Sequence, residues 1–310
     1  MKRRTFSRNV IGAATLAGVT PLFSQAIASN PYIRLGAHLL EKIDTPEAWI
    51  GKLKENNYRA AYCPVKPGAP SEEIKAYKAA AVKQGIVISE VGVWINLISP
   101  DDQIRKEAIN RTIEGLYLAE EIGANCCVNV SGSKNPNHWA GPHKDNLTED
   151  TFNEIVETSR RVLDEVKPKR TFFALEPMPW AYPDSADNYL KLLKAIDRKH
   201  FGVHLDPMNL IVSPQQFYKS GDLIKDCFKK LGPHIRSCHG KDIVLREDIY
   251  TPQLTECRPG LGSMDYATFL RELSKLKDIP LMMEHLDTTE EYNLAAHYIR
   301  SVGKKEGIEV

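Results

Sequence analysis

Four apolar runs in the second half of the chain each stop at a side chain able to ligate a metal. They are Thr171-Phe-Phe-Ala-Leu-Glu176-Pro177, Phe201-Gly-Val-His-Leu-Asp206-Pro207, Ile235-Arg-Ser-Cys-His239-Gly240-Lys241-Asp242 and Pro280-Leu-Met-Met-Glu284-His285. The steps from Glu176 to Asp206 to His239 to Glu284 are 30, 33 and 45 residues, each enough for a strand, a helix and two loops. Carboxylates at the ends of successive parallel strands meet at one point only if the sheet closes into a barrel. Three carboxylates and an imidazole gathered there repel one another unless a divalent cation lies between them. The expectation is a metal site of Glu176, Asp206, His239 and Glu284 at the top of a single (β/α)8 TIM barrel.

The elements needed to position these residues can be read along the chain. A first strand spans 33–39 and ends at His38; Thr45-Pro46 opens a helix that runs to Asn56. A second strand spans 58–65, and a helix follows from Ser71 to just before Gly85. A third strand spans 86–97, with Trp94 and Asn96 at its end, before a long helix from Pro100-Asp101-Asp102 to Ile122 with an apolar stripe. The fourth strand spans 124–130. The segment 132–146 is too long and too rich in Gly, Pro, Asn and His for a simple turn, and barrel loops of this kind form lids or substrate walls. Helices are expected at 148–166, 187–198, 213–231 (weakened at Gly221), 265–276 and after Thr288. The count is eight βα pairs, with no second domain and no repeat.

The motifs Leu-Glu176-Pro, His-Leu-Asp206-Pro-Met-Asn209, His239-Gly-Lys-Asp242, Pro259-Gly-Leu-Gly-Ser-Met-Asp265-Tyr and Met-Glu284-His follow in this order, each at or just beyond an expected strand end. In them the chain resembles the sugar phosphate isomerase/epimerase family of xylose-isomerase-like barrels, over roughly residues 33–303. The resemblance implies one divalent cation (Mn, Mg, Co or Zn) held by Glu176, Asp206, His239 and Glu284, with Glu176 and Glu284 also the catalytic acid and base. DNA-repair endonucleases of the same superfamily use a three-zinc cluster with extra histidines. Here Asn209 stands where one would be and no Asp-x-His follows His239, which excludes that activity. Many sugar epimerases also carry a histidine at the Asn209 position to hold substrate hydroxyls, so Asn209 is a substrate-binding candidate and the sugar is left open.

Further substrate-binding candidates are Lys241, able to reach a substrate oxygen or to pair with a carboxylate, and His38, Trp94 and Trp180, able to stack on a sugar ring. Arg246 and Arg258 follow the seventh strand and suit a substrate anion or hydroxyl; His138, Trp139 and His143 lie on the long loop. His204 and His285 are expected to alternate away from the ligands, toward the helix layer or behind the site. Six cysteines form no zinc-finger or Cys-x-x-Cys spacing and are read as small buried hydrophobes. Adjacent Cys126 and Cys127 point to opposite faces, so they are not expected to share the core.

Residues 1–28 read as a cleavable export signal of the twin-arginine type. Arg3-Arg4-Thr5-Phe6 precedes a weakly apolar run and the small-x-small site Ala26-Ile27-Ala28. The barrel then occupies 29–310 and works in the periplasm, with no stable membrane anchor after processing. Those 28 residues contain Lys2, Arg3, Arg4 and Arg8 and no acid. The net charge of +1 for the whole chain therefore becomes −3 for the rest, which gives no reason to expect a nucleic-acid partner. The oligomeric state stays open.

These readings point to a metal-dependent isomerase or epimerase that acts on a small, non-phosphorylated carbohydrate through a metal-stabilised enediolate. An alternative shares the first step: a lyase that takes the C2 proton of a 3-keto-glycoside and expels the C1 aglycone by β-elimination. A second alternative is a non-catalytic periplasmic sugar-binding protein, which would bind sugar without metal.

Overall fold

A computed structural model describes residues 31–310; the expected export signal lies outside the described residues. Eight parallel strands form one sheet: β1 (Arg34–Ala37), β2 (Ala60–Tyr62), β3 (Val87–Gly92), β4 (Cys126–Asn129), β5 (Phe172–Leu175), β6 (Phe201–Leu205), β7 (Ile235–Gly240) and, last in the chain, β10 (Pro280–Met283). Their order is β1-β10-β7-β6-β5-β4-β3-β2. The ladder is continuous except between β1 and β2, where Arg59 N–H donates to Leu35 C=O at 2.9 Å. The barrel is nearly closed. At that seam a Cβ on Gly36 would lie 2.5 Å from the Ala60 carbonyl oxygen, so only glycine lets the two strands approach.

Helices α1 (Pro46–Glu55), α2 (Ser71–Gln84), α3 (Asp102–Ile122), α4 (Glu149–Val166), α5 (Ala186–Ile196), α6 (Pro214–Tyr218), α7 (Ser220–Leu231), α8 (Tyr266–Leu273) and α9 (Thr289–Glu306) follow the strands. Thr45, Asp101, Thr148 and Thr288 accept from first-turn N–H groups, and Gly85, Gly123 and Gly307 close helices in the left-handed region. The break near Gly221 falls two residues earlier, at Lys219, between α6 and α7. Strand β3 stops at Gly92, short of the expected Leu97, and Trp94 lies beyond it at φ +33°.

Two features differ from expectation. Residues after β7 fold back as an antiparallel hairpin, β8 (Asp242–Leu245) with β9 (Leu254–Cys257), where a loop was expected. Cys126 and Cys127 are both fully buried. A closed barrel covers both strand faces: Cys126 lies inside with Val128 and Ala174, whereas Cys127 packs outward near Gly115 of α3. All six cysteines are free, and Cys63 and Cys257 are only partly buried. Among the described residues no helix is long and apolar enough to cross a membrane.

Candidate metal centre

Glu176, Asp206 and Glu284 are the first residues past β5, β6 and β10, and His239 is the penultimate residue of β7. One ligand atom from each of the four lies within 4.8 Å of all the others, and all four residues are buried. Neighbouring contacts fix each side chain. Trp94 Nε1–H donates to Glu176 Oε2 at 2.8 Å, and Asn209 Nδ2–H donates to Glu176 Oε1 at 3.0 Å. Asp206 Oδ1 accepts from Met208 N–H at 3.0 Å in the turn after β6. A Cβ on Gly92 would fall 1.8 Å from the Trp94 ring, so this glycine is what lets the indole fold back onto Glu176.

Beneath the ligands lies a residue that the strand-end pattern missed. Glu90, wholly buried on β3, lies 3.0 Å from His239 Nε2 through Oε1. Nε2–H donates to that carboxylate, so Nδ1 is the nitrogen that faces the other three acids. Burial opposes it, yet Glu284, Glu90 and Glu176 raise the imidazole well above its ordinary value, and with no cation bound it carries a charge. His239 Nδ1 is 2.8 Å from Glu284 Oε1 and 3.4 Å from Glu176 Oε1. His204 also lies inside the barrel, its ring 4.0 Å from that of His239 and edge-on, with Nδ1 2.5 Å from Ser237 Oγ. Of the two expected places this is the one behind the site; the alternation away from the ligands is corrected. His204 is two residues before Asp206, so the period-two alternation puts both on the same face. Burial and the neighbouring His239 lower His204 to about 4, and it stays neutral.

Lys241 settles between the two roles expected of it: its ammonium is 2.7 Å from Asp206 Oδ2, 2.7 Å from Glu284 Oε1 and 3.6 Å from Glu176 Oε1. Burial pushes Glu176 up, but the charges of Lys241 and His239 outweigh it and hold the carboxyl at about 2. Burial raises Asp206 to about 6 against the pull of Lys241. Glu284 is held well below the carboxylate range by His239 and Lys241 despite its burial. Even so, Asp206 Oδ2, His239 Nδ1 and Glu284 Oε1 are buried atoms without a hydrogen-bond partner. Their contacts are close but not directional. Hard oxygens and one imidazole nitrogen facing a shared point form a donor set that fits a single divalent cation.

Residues 52–302 match the family described as xylose isomerase-like TIM barrel. The chain belongs to that family. No curated protein matches the sequence at significance. Among solved structures, D-psicose 3-epimerase with D-tagatose from Clostridium cellulolyticum is 16% identical (TM-score 0.63; 88% of this chain, 98% of the other). A xylose isomerase-like TIM barrel protein from Mycobacterium smegmatis in complex with magnesium is 14% identical (TM-score 0.63; 89% and 97%). Endonuclease IV from Thermus thermophilus is 13% identical (TM-score 0.68; 88% and 99%). At these identities the likeness concerns the fold.

On this family's barrel the other candidates divide. His38 stacks on Tyr62 (centroids 3.7 Å, planes 4° apart), and burial lowers its pKa. Trp180 lies half-exposed in the loop after β5. Arg246 lies near the hairpin tip, where its exposed guanidinium is held by Asp248 at 2.6 Å and Gln253 at 3.3 Å. Arg258 donates to the Pro259 carbonyl beside it. His285 lies outside the ligand set, bonded to Glu256 at 2.9 Å. Asp242 is structural, accepting from the backbone of Ile243, Gly260, Gly262 and Met264 and so fixing the base of the hairpin. In the long loop, Ser133 and Asn146 tie the segment down through Gly141 and Lys134. Trp139 lines a cleft of about 360 Å³ with Trp94, Asn96, Glu107 and Arg111. His143 caps the turn at Asp145, and His138 packs under Gly141.

Proposed function

We propose that this chain is a metal-dependent isomerase or epimerase that moves a proton at the carbon beside a carbonyl of a non-phosphorylated carbohydrate. One observation carries the reading: buried Glu176 and Glu284 stand on β5 and β10, on either side of the β6–β7 pair that carries Asp206 and His239. A substrate carbon between the two glutamates has a carboxylate on each side, one to remove its proton and the other to return it. Bound by Glu176, Asp206, His239 and Glu284, a divalent cation would draw charge from the carbonyl and its neighbouring hydroxyl as the proton leaves. Trp94 and Asn209 hold Glu176 by one oxygen each, His285 stands 3.7 Å behind Glu284 Oε2, and Glu90 engages His239 Nε2 so that Nδ1 faces inward. The related epimerase with D-tagatose supports a sugar substrate, and the related protein with magnesium supports a divalent ion. Relatives on this fold include a ketose epimerase and a nuclease, so the donor set and not the fold carries the argument. We place the mature protein in the periplasm, where free sugars outnumber sugar phosphates.

The test is proton NMR in D₂O with Mn²⁺-supplemented protein and a free ketohexose. Deuterium entering the sugar with a new epimer or aldose is the expected result, and Glu284→Gln abolishes it. Absence of exchange with any ketose or 3-keto-sugar ends this reading. A second outcome has its own support in the cavity described next. If C1 of a 3-keto-glycoside carries a leaving group, the electrons left by the C2 proton form a C1=C2 bond. The C1–O bond then breaks, and the aglycone departs with the pair and takes up a proton.

A further inference from the structure

Beside the metal centre lies a cavity of about 390 Å³ whose walls are Trp180, Ile211, Val212, Ile243, Pro252 and Leu254. Three elements build it: the loop after β5, the turn after β6, and the β8–β9 hairpin, which is an addition to the eight-strand barrel. Its polar side chains are Asn209, Gln253 and Glu256, and each makes a contact away from the apolar walls. Asn209 donates to Glu176, Glu256 is paired with His285, and Gln253 accepts from Arg246. Through Asn209 the cavity borders Glu176, and through Glu256 and His285 it borders Glu284. It thus lies one side chain from Glu176, sharing Asn209 with the metal centre, and two side chains from Glu284.

A sugar ring placed against these walls would leave its hydroxyls without partners, at a loss in binding for each one. A flat apolar group loses nothing there and gains contact with the Trp180 indole. Trp180 and Val212 are both about half exposed, at 47% and 53%, although they flank a polar site. The hairpin that roofs the cavity is held at its base by the four backbone donors of Asp242, so the space is preformed. We propose that this cavity is an aglycone subsite, and that the substrate is a sugar joined to an aromatic or otherwise apolar group seated against Trp180. The inference rests on the sugar-processing reading of the adjacent centre and deepens it.

The experiment compares phenyl β-D-glucopyranoside with methyl β-D-glucopyranoside as unreactive ligands of the Mn²⁺-supplemented protein, by calorimetry and by tryptophan fluorescence. The phenyl glucoside binds about tenfold tighter or more, since only its ring reaches the apolar walls. Trp180→Ala and Val212→Asp each reduce that preference to about twofold. Both sites are half exposed, so folding is retained. Equal affinity of the two glucosides in wild type, or a preference that survives both substitutions, overturns the proposal. Deuterium exchange into methyl 3-keto-glucoside is measured alongside. Exchange without a phenyl preference removes the subsite and leaves the catalytic reading. A phenyl preference lost in both variants, with no exchange, leaves the subsite and removes the catalytic reading.

Discussion

Removal of the Lys241 ammonium tests whether it and a divalent cation neutralise the same three carboxylates. The side chains of Lys241, Asp206 and Glu284 are 2%, 0% and 4% exposed, so solvent does little to screen them. Breaking a buried pair by deleting one partner destabilises by about 3–5 kcal/mol, because the orphaned charge stays buried. Asp206 already stands near 6 with Lys241 in place. Without the ammonium it takes a proton near neutrality, which limits the loss to about 3 kcal/mol. Lys241→Met in metal-free protein is therefore expected to unfold roughly 6 °C or more below wild type. With Mn²⁺ bound, the cation supplies the charge and the gap shrinks to about 1 kcal/mol or less. The thermodynamic cycle then requires Lys241→Met to bind the metal more tightly than wild type, by roughly 30-fold for the remaining 2 kcal/mol. Thermal unfolding with chelator and with Mn²⁺, together with calorimetric titration, measures all four corners. If metal-free Lys241→Met is as stable as wild type, or the gap is the same with and without metal, the shared-charge account of the site is wrong.

Glu90→Gln retains an acceptor for His239 Nε2 but loses its charge, and metal affinity by calorimetry is expected to fall about tenfold or more. Gly92→Ala drives the Trp94 ring off Glu176, since the added Cβ would stand 1.8 Å from it; a red-shifted tryptophan emission and a loss of turnover report the displacement. Asp278, in the turn before β10, accepts from Tyr32 at 2.7 Å and from Arg34 at 3.0 and 2.9 Å, tying the approach to the last strand to the first. The Tyr32 hydroxyl and then the Arg34 guanidinium hold its carboxyl below the ordinary 3.8. The folded value is depressed, so this stabilisation is complete above the unfolded value and lost as pH falls through the folded one. At 40% side-chain exposure the pair is screened and worth about 0.5 kcal/mol. The melting temperature of Asp278→Asn should thus trail wild type slightly at pH 6 and converge with it below pH 3.5.

The barrel was legible because four strands announced themselves by the same device, an apolar run ended by a metal-capable side chain at βα spacing. What stayed hidden differs in kind. Glu90 lies inside its strand, where an acid in an apolar run breaks the pattern and offers no strand end to mark it. The signal was present: Ile86 to Val93 contains a single charge, and in a closed barrel an inward charge needs a partner. For His204 one of the two expected places, behind the site, is the one found, and its two-residue offset from Asp206 already ruled out the helix layer. The hairpin was unreadable for another reason. Its strands are four residues each, β9 is Leu-Thr-Glu-Cys with Thr255 and Glu256 exposed, and the connection between them carries no Asn-Gly or Asp-Gly turn. The place of Arg246 stayed hidden with it, because the hairpin carries the residue after β8 toward Asp248.

The inward faces above the barrel floor explain why one cluster can serve metal and substrate together. At the bottom, Cys126, Val128 and Ala174 are small and apolar. Above them Glu90, His204 and Ser237 form a polar layer with no exposed surface, and the four candidate ligands and Lys241 stand above that. A buried charge layer destabilises a fold unless its members are paired and hydrogen-bonded. Here Glu90 holds His239 Nε2 so that Nδ1 faces the carboxylates, and the His204 ring packs edge-on against it. Two of the strands that supply a candidate ligand place a polar residue two positions before it, His204 before Asp206 and Ser237 before His239. The period-two alternation therefore puts His204 and Ser237 on the inward face together with the candidate ligand of their strand. A change in the middle layer should accordingly be read in metal affinity before it is read in fold stability.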